Sequence, residues 1–124
     1  MVNASNLTFR NDGLNLNLAI SYGSKTEIIN AFKQIVEKVK KNIISIENID
    51  EKLINEHLYT KISKDVDLLI RTGGEFRLSN FLLWQNSYAE LLFYDTLWPD
   101  FRKKDFYESI LTFQKRNRRF GKTN

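Results

Sequence analysis

Three segments with strand-like patterns alternate with helix-like segments along this chain, and this alternation constrains the fold more than any other feature. Residues 14–20 alternate apolar and polar side chains, which predicts a first strand. The apolar runs at residues 66–72 and 90–95 predict a second and a third. Strands that alternate with helices form parallel sheets with right-handed crossovers. We therefore predict an α/β fold, a parallel sheet with flanking helices.

The clearest helical pattern begins at Ser24, where Ser24 and Glu27 have the spacing of a capping box. A shorter helix is predicted from Asp50, and a third is predicted to be capped by Ser79 or Asn80 and to run through Trp84. A long helix is predicted at residues 103–118, after the chain's only proline, with Asp100 as its cap and Gly121 as its C-cap glycine. The predicted inward faces are Ile28, Ile29, Phe32, Ile35, Val36 and Val39; Leu53, Ile54 and Leu58; and Phe106, Ile110 and Phe113.

Size and composition bound the functions that remain open. The chain has 124 residues, which is enough for one domain, and its net charge of +4 suits an anionic ligand without requiring nucleic acid. It contains no cysteine, which excludes disulfides, thiolate metal sites and a cysteine nucleophile. No apolar run approaches the ~18 residues of a membrane span, and the first residues do not resemble a signal peptide. We expect a cytoplasmic protein.

A three-stranded parallel sheet would be narrow, with exposed edges, and parallel sheets normally have both faces covered. The chain also begins with polar residues that lead directly into the first predicted strand. We therefore expect residues 1–124 to be the second half of a larger α/β domain.

The loop at residues 71–79 is the strongest candidate site. It follows the second predicted strand, and ligands of open α/β sheets bind beyond the carboxyl ends of strands. Gly73 and Gly74 would bring backbone N–H groups close to a ligand, and the N-terminus of the following helix would add more. Arg71 and Arg77 supply forked donors that match phosphate oxygens, and two arginines fit a diphosphate better than a monophosphate. The alternative is a structural turn whose arginines pair with Glu75.

Other candidates have equally plain structural alternatives. Glu90 either pairs with an arginine or ligates a hard cation such as Mg²⁺. Trp98 and Asp100 follow the third predicted strand, where packing and helix capping would explain them. The basic cluster at residues 115–119 could bind nucleic acid or could simply stabilise a helix C-terminus. The single histidine, His57, suits packing or the surface better than catalysis.

The motifs of the loop and the segment after it resemble those of the cis-prenyltransferases, specifically the bacterial undecaprenyl diphosphate synthases. Four motifs are present in order: Arg-Thr-Gly-Gly-Glu at residues 71–75, Arg-x-Ser-Asn-Phe at 77–81, Tyr-Ala-Glu at 88–90 and Trp-Pro-Asp-Phe at 98–101. Residues 14–28 resemble the family's Asn-Tyr-Gly-Gly-Arg segment, and residues 118–121 its C-terminal Arg-x-Gly motif. The resemblance covers essentially the whole chain.

The resemblance implies a Mg²⁺-dependent transferase that adds isopentenyl diphosphate to farnesyl diphosphate with cis double bonds. The undecaprenyl diphosphate product is the lipid carrier of cell-wall peptidoglycan synthesis and is delivered to the membrane. The implied enzyme is cytoplasmic, with peripheral association at the inner membrane face as the alternative. The implied assembly is a homodimer. In the family the residues that match Arg71, Arg77, Leu78 and Ser79 hold isopentenyl diphosphate, and the glutamate that matches Glu90 ligates Mg²⁺. The residues that match Arg119 and Gly121 reach the partner subunit's diphosphate.

Several departures from the family pattern accompany the resemblance. Phe76 stands where relatives usually carry a polar residue, and Ser21, Ser24 and Lys25 replace Asn, Gly and Arg. The family's Asp-Gly-Asn-Gly-Arg-Trp motif does not occur in this sequence. We therefore expect a C-terminal half that is inactive alone. The alternatives are a non-catalytic homologue that acts as a binding subunit and a basic nucleic-acid-binding module.

Overall fold

A computed structural model describes residues 2–63 and 65–121, with side chains from residue 5 onward. The chain has four helices and two strands in these ranges: α1 (Val2–Thr8), α2 (Ser24–Lys40), α3 (Glu51–Asn55), β1 (Leu68–Arg71), β2 (Glu90–Phe93) and α4 (Lys103–Gln114). Short 3-10 turns lie at Ile46–Asn48 and Trp98–Asp100. The prediction of a parallel sheet with flanking helices is confirmed, although the sheet has two described strands and not three. Helix α1 was not predicted, because its sequence is polar and lacks a helical period.

Strands β1 and β2 pair in parallel and fix the two edges of the sheet. Leu68 lies opposite Glu90 at the amino ends of the strands, and Arg71 lies opposite Phe93 at the carboxyl ends. The backbone pairing continues past each end, where Glu90 N donates to Asp67 O at 3.0 Å and Tyr94 N donates to Arg71 O at 2.9 Å. The loop that follows Arg71 therefore starts at the carboxyl edge, as predicted.

The strand predicted at residues 14–20 is not formed. The segment is irregular and exposed throughout, and Leu14, Leu16, Leu18 and Ile20 keep 65–86% of their surface accessible. A strand needs a neighbour to satisfy its backbone N–H and C=O groups. In the described part of the chain no strand pairs with this segment, so the alternating pattern has no face to bury against.

Helix α2 begins where the sequence indicates, but its cap differs from the prediction. The N-cap residue is Gly23, and no side chain of the cap itself bonds to the helix. Asn80 does this from a distant segment: its backbone oxygen accepts from Ser24 N and its Oδ1 accepts from Lys25 N, both at 2.9 Å. A Cβ at Gly23 would lie 2.9 Å from the Asn80 amide nitrogen. The predicted capping box is wrong because Ser24 and Glu27 are both fully buried and bond to other segments.

The helix predicted from Ser79 or Asn80 through Trp84 is also wrong. Residues 79–88 form successive turns, with positive φ angles of 55° at Ser79 and 46° at Leu82. Left-handed residues interrupt the right-handed helix. The polar groups of this segment bond elsewhere: Asn80 caps α2, and Leu83 N donates to Ser24 Oγ at 3.0 Å.

Helix α4 is shorter than predicted and has different caps. It ends at Gln114 with Lys115 as C-cap, so Gly121, at φ 74°, is not its C-cap glycine. At the other end Arg102 is the N-cap, and its backbone N–H donates to Asp105 at 2.7 Å. The prediction of Asp100 as the cap is therefore wrong. For α3 the predicted start is confirmed, because Asp50 caps it by accepting from Leu53 N at 2.8 Å.

The buried core of the described chain is small and unusually polar. Four apolar residues are buried, namely Ala31, Ile35, Leu58 and Leu69. Six polar ones accompany them, namely Ser24, Glu27, His57, Gln85, Asn86 and Ser109. Several residues predicted to face inward are instead exposed, including Ile29 at 53%, Phe32 at 66% and Phe106 at 48%. Their helices present apolar faces that the described elements do not cover.

Candidate functional site

Arg71 organises the predicted loop from the carboxyl end of β1. Its Nη1 donates to the backbone oxygen of Arg77 and lies 3.1 Å from Ser79 Oγ. These contacts bring three of the predicted residues together in one fold of the chain. Among the described residues, no carboxylate lies within ion-pair distance of Arg71. Its charge is therefore available to an anion.

Arg71 also lines a cavity of about 350 Å³. The predicted residues Arg71, Leu78 and Ser79 line it, together with Leu69, Ile70, Thr72 and Phe81. One cation, two hydroxyl-bearing residues and several apolar residues thus line a small concave surface. That combination suits a ligand with a charged head and an apolar remainder.

Arg77 and the two glycines depart from the predicted arrangement. Arg77 pairs with Glu75, as the structural alternative proposed, and 62% of its side chain remains exposed. Gly73 N donates to Thr96 O and Gly74 N donates to Tyr94 O, both at 2.9 Å. These N–H groups hold the loop against the segment after β2 and do not face a ligand. Since no helix follows, the predicted helix N-terminus is absent from this site as well.

The positive φ angles of Gly73 and Gly74, 93° and 73°, explain why glycine is needed in this turn. At Gly74 a Cβ would also lie 3.6 Å from Asp95 Oδ1. That distance is ordinary van der Waals contact, so the backbone conformation and not lack of space requires glycine at both positions. Phe76, at the tip of the loop, is 71% exposed and contacts the Phe93 ring at 5.5 Å between centroids.

Glu90 lies at the amino edge of the sheet, away from the loop. The register separates it from Arg71 by three residue pairs, or about 10 Å along the strands. Its carboxylate forms an ion pair with Arg116 at 2.6 Å. Glu90 therefore pairs with an arginine, which was one of the two alternatives in the sequence analysis. Its partner is Arg116 and not Arg71 or Arg77.

A Mg²⁺ site needs oxygen ligands gathered around one point. Within residues 2–63 and 65–121, no three acidic, histidine or cysteine side chains converge in this way. Glu90 is also engaged by Arg116 and distant from Arg71, so the described residues form no metal site by themselves, and Glu90 could hold Mg²⁺ only together with diphosphate oxygens. The role of Glu90 as a Mg²⁺ ligand stays a prediction.

The predicted residues near the C-terminus lie at the amino edge too. Arg119 is exposed, and Gly121 lies beside the Tyr88 ring. Arg118, their neighbour, bonds to Asp67 at 2.5 Å. Arg119 and Gly121 therefore do not join the Arg71 loop of their own chain. No local sequence pattern marks the pairing of Asp67 with a residue 51 positions away.

Trp98 and Asp100 lie in the 3-10 turn after β2. Trp98 is 74% exposed and stacks on Phe101, with 6.2 Å between ring centroids. Asp100 has only a loose ion pair with Arg102, at 3.8 Å. Both are accessible at the carboxyl edge of the sheet.

The packing role predicted for His57 is confirmed, since it is buried between Lys38 and the Leu53 backbone oxygen, each 2.7 Å away.

Comparisons with known proteins agree with the motifs. The family model of undecaprenyl diphosphate synthase matches residues 1–121. The isoprenyl transferase of Bacillus subtilis is 52% identical over 92% of this chain and 44% of its own length. The (2E,6E)-farnesyl-diphosphate-specific ditrans,polycis-undecaprenyl-diphosphate synthase of Haemophilus influenzae is 53% identical over 97% of this chain and 50% of its own length. The chain thus spans about half the length of these relatives.

Two crystal structures share the fold. Lavandulyl diphosphate synthase from Lavandula x intermedia, in complex with dimethylallyl diphosphate, superposes with a TM-score of 0.94 and 39% identity over 98% of this chain and 52% of its own. A probable undecaprenyl diphosphate synthase from Campylobacter jejuni gives a TM-score of 0.82 and 42% identity over 98% of this chain and 54% of its own. Across the described residues, no helix is both long and apolar enough to cross a membrane.

Proposed function

This chain belongs to the undecaprenyl diphosphate synthase family of cis-prenyltransferases, and from that premise we propose that it supplies the isopentenyl diphosphate site of such an enzyme. The complete enzyme would condense isopentenyl diphosphate units onto farnesyl diphosphate to give a long-chain polyprenyl diphosphate. The proposal for this chain concerns substrate binding.

The observation that carries the proposal is the guanidinium of Arg71. It is held by the Arg77 backbone oxygen and by Ser79, and it has no carboxylate partner among the described residues. Arg71 also lines a cavity of about 350 Å³. A guanidinium offers five N–H donors in a rigid plane, of which these contacts occupy only some. The remaining donors suit the oxygens of a diphosphate. The apolar lining from Leu78 and Phe81 would then contact the isoprene unit.

Arg77 would supply the second charge by leaving Glu75. Its ion pair is exposed, and exposed pairs contribute only about 0–1 kcal/mol. A charge-assisted hydrogen bond to a diphosphate is worth about 1.5–3 kcal/mol. Exchange of Glu75 for the ligand is therefore favourable.

We predict that Arg71→Ala and Arg77→Ala each weaken binding of isopentenyl diphosphate at least about ten-fold, because each removes a charge-assisted contact. Lysine should restore little, since a point charge cannot reproduce the planar fork. Titration calorimetry with isopentenyl diphosphate measures this directly. Arg10→Ala is the matched control, an exposed arginine outside the loop. Unchanged affinity in both loop variants would refute the proposed site.

Mg²⁺ dependence of the complete enzyme is a separate proposal, and Glu90→Gln tests the part of it that concerns this chain. If Glu90 is a ligand, Mg²⁺ should no longer raise the affinity of the variant for isopentenyl diphosphate, and the variant should keep its fold. If Glu90 only pairs with Arg116, the variant should be less stable, and Mg²⁺ should still raise its affinity for isopentenyl diphosphate. The same calorimetry with and without Mg²⁺, together with urea denaturation, separates the two results.

A further inference from the structure

The turns that follow the arginine loop contain two residues in a conformation that side chains seldom adopt. The φ angles of Ser79 and Leu82 are 55° and 46°, in the left-handed region. A Cβ atom is disfavoured there, and such residues persist only where the surrounding structure holds them. These two turns therefore depend on contacts with another part of the chain.

Three hydrogen bonds to the first two residues of α2 supply those contacts. Asn80 accepts two of them, its backbone oxygen from Ser24 N and its Oδ1 from Lys25 N, both at 2.9 Å. Ser24 Oγ accepts the third from Leu83 N at 3.0 Å. Each left-handed residue is thus followed directly by a residue that is bound to α2.

The Ser24 hydroxyl is committed to this contact. Ser24 is fully buried at the start of α2, so a loss of its hydroxyl would leave the part-buried Leu83 N–H without this acceptor. Ser24 is also one of the departures from the family pattern, and a glycine at its position would have no hydroxyl to offer. This hydrogen bond is therefore a feature of this chain.

The same turns carry the groups that hold Arg71. Ser79 Oγ lies 3.1 Å from Arg71 Nη1, and the backbone oxygen of Arg77 accepts from the same nitrogen. Because Ser79 directly precedes Asn80, the attachment of Asn80 to α2 restricts where the Ser79 hydroxyl can lie. Helix α2 thus influences the guanidinium although no residue of α2 lines the cavity of the site.

We propose that Ser24 and Asn80 are positioning residues of the isopentenyl diphosphate site. They hold the two left-handed turns, and through them Ser79 and Arg71, in the arrangement that receives the diphosphate. They act through these turns and not by contact with the substrate. The inference rests on the proposed function, since it takes Arg71 as the group that binds the substrate.

Ser24→Ala and Asn80→Ala test the inference in the full 124-residue chain. Each should bind isopentenyl diphosphate about three- to ten-fold more weakly in titration calorimetry, because each loses one hydrogen bond that orders the site. The amides of residues 79–83 should also exchange faster in hydrogen–deuterium exchange. Ser109→Ala, another fully buried helical serine, and Asp50→Ala, another exposed side chain that caps a helix, are the matched controls.

Both controls should keep the wild-type affinity and the wild-type exchange of residues 79–83, although they also lose a hydrogen bond. Equal affinity in each variant and its control would overturn the proposal, because only general stability would then have changed. Asn80→Asp keeps the Oδ1 acceptor and should restore slow exchange of these amides. Exchange as fast as in Asn80→Ala would also overturn the proposal.

Arg71→Ala, measured in parallel, separates this inference from the proposed function. Weaker binding in Arg71→Ala together with wild-type binding in Ser24→Ala and Asn80→Ala would overturn the positioning role alone. Wild-type binding in Arg71→Ala would overturn the proposed site, and the positioning role would fall with it.

Discussion

Glu27 is a fully buried carboxylate whose two oxygens receive three hydrogen bonds. Tyr59 N donates to Oε1 at 2.7 Å, while Gln85 Nε2, at 3.1 Å, and the Tyr22 hydroxyl donate to Oε2. Burial of a carboxylate is costly unless such donors replace water. This one residue therefore connects α2 to the segments after α3 and after β1, and it does so by polar contacts.

Tyr22 makes this connection sensitive to alkaline pH. Partial burial and the hydrogen bond to Glu27 raise the pKa of Tyr22 to about 12 from its ordinary value of 10.0. Because the folded pKa lies above the unfolded one, the folded state keeps this proton longer. The stabilisation is complete below about pH 10 and is lost as the pH rises through about 12.

We predict that the free energy of unfolding of the wild type falls more steeply between pH 9.5 and about pH 12 than that of Tyr22→Phe, which has no phenolic proton. Urea denaturation across this range measures the difference. Tyr107→Phe, which removes the hydroxyl of an exposed tyrosine, should retain the wild-type slope. If Tyr22→Phe has the wild-type slope as well, the hydrogen bond to Glu27 does not perturb Tyr22.

At the scale of elements, the start of α2 depends on a residue 55 positions away along the chain. Asn80 Oδ1 accepts from Lys25 N. In most helices the side chain of the N-cap residue accepts this kind of hydrogen bond from the first turn. Gly23 allows this because any side chain there would meet the Asn80 amide. The cap thus fixes the turns after the arginine loop against the helix.

Asn80→Ala should lower the free energy of unfolding by about 1 kcal/mol, the usual effect of losing a helix cap. Faster exchange of the first α2 amides should accompany this loss. Urea denaturation at a fixed chain concentration measures the first effect and hydrogen exchange the second. Asn117→Ala, in an exposed position, is the control. A stability equal to the wild type would mean that water caps Lys25 N equally well.

The elements predicted correctly are those whose signal lies within the element. Helix α2 has a sustained amphipathic period, and β1 and β2 are short apolar runs, so each appears in the sequence near its true bounds. The failures depend on distant partners. The segment at residues 14–20 has no strand beside it, and residues 79–88 use their polar groups to dock on α2. Arg71, Arg77, Leu78 and Ser79 were predictable as one loop because they are contiguous, whereas the Asp67–Arg118 pair was not.

At the scale of the molecule, the described chain buries too little apolar surface for its size. Only four apolar residues are buried, while many large ones are exposed, among them Leu16 at 74%, Leu18 at 65% and Phe32 at 66%. Exposed apolar surface of this extent marks interaction sites. The comparison proteins are about twice as long as this chain, so further protein is available in them to cover the equivalent surfaces.

We therefore expect the 124-residue chain to self-associate and to be inactive alone. Burial of these side chains against other copies is favourable at roughly 25 cal/mol per Å² of apolar surface. The family's Asp-Gly-Asn-Gly-Arg-Trp motif, which the resemblance assigns to the allylic diphosphate, does not occur in the sequence, so farnesyl diphosphate would lack its site. Sedimentation velocity tests the first expectation, and incubation with farnesyl diphosphate, labelled isopentenyl diphosphate and Mg²⁺ tests the second. A monodisperse monomer that melts cooperatively would contradict the first. Any long-chain product would contradict the second and show that the Arg71 loop works with an allylic site formed by these same residues.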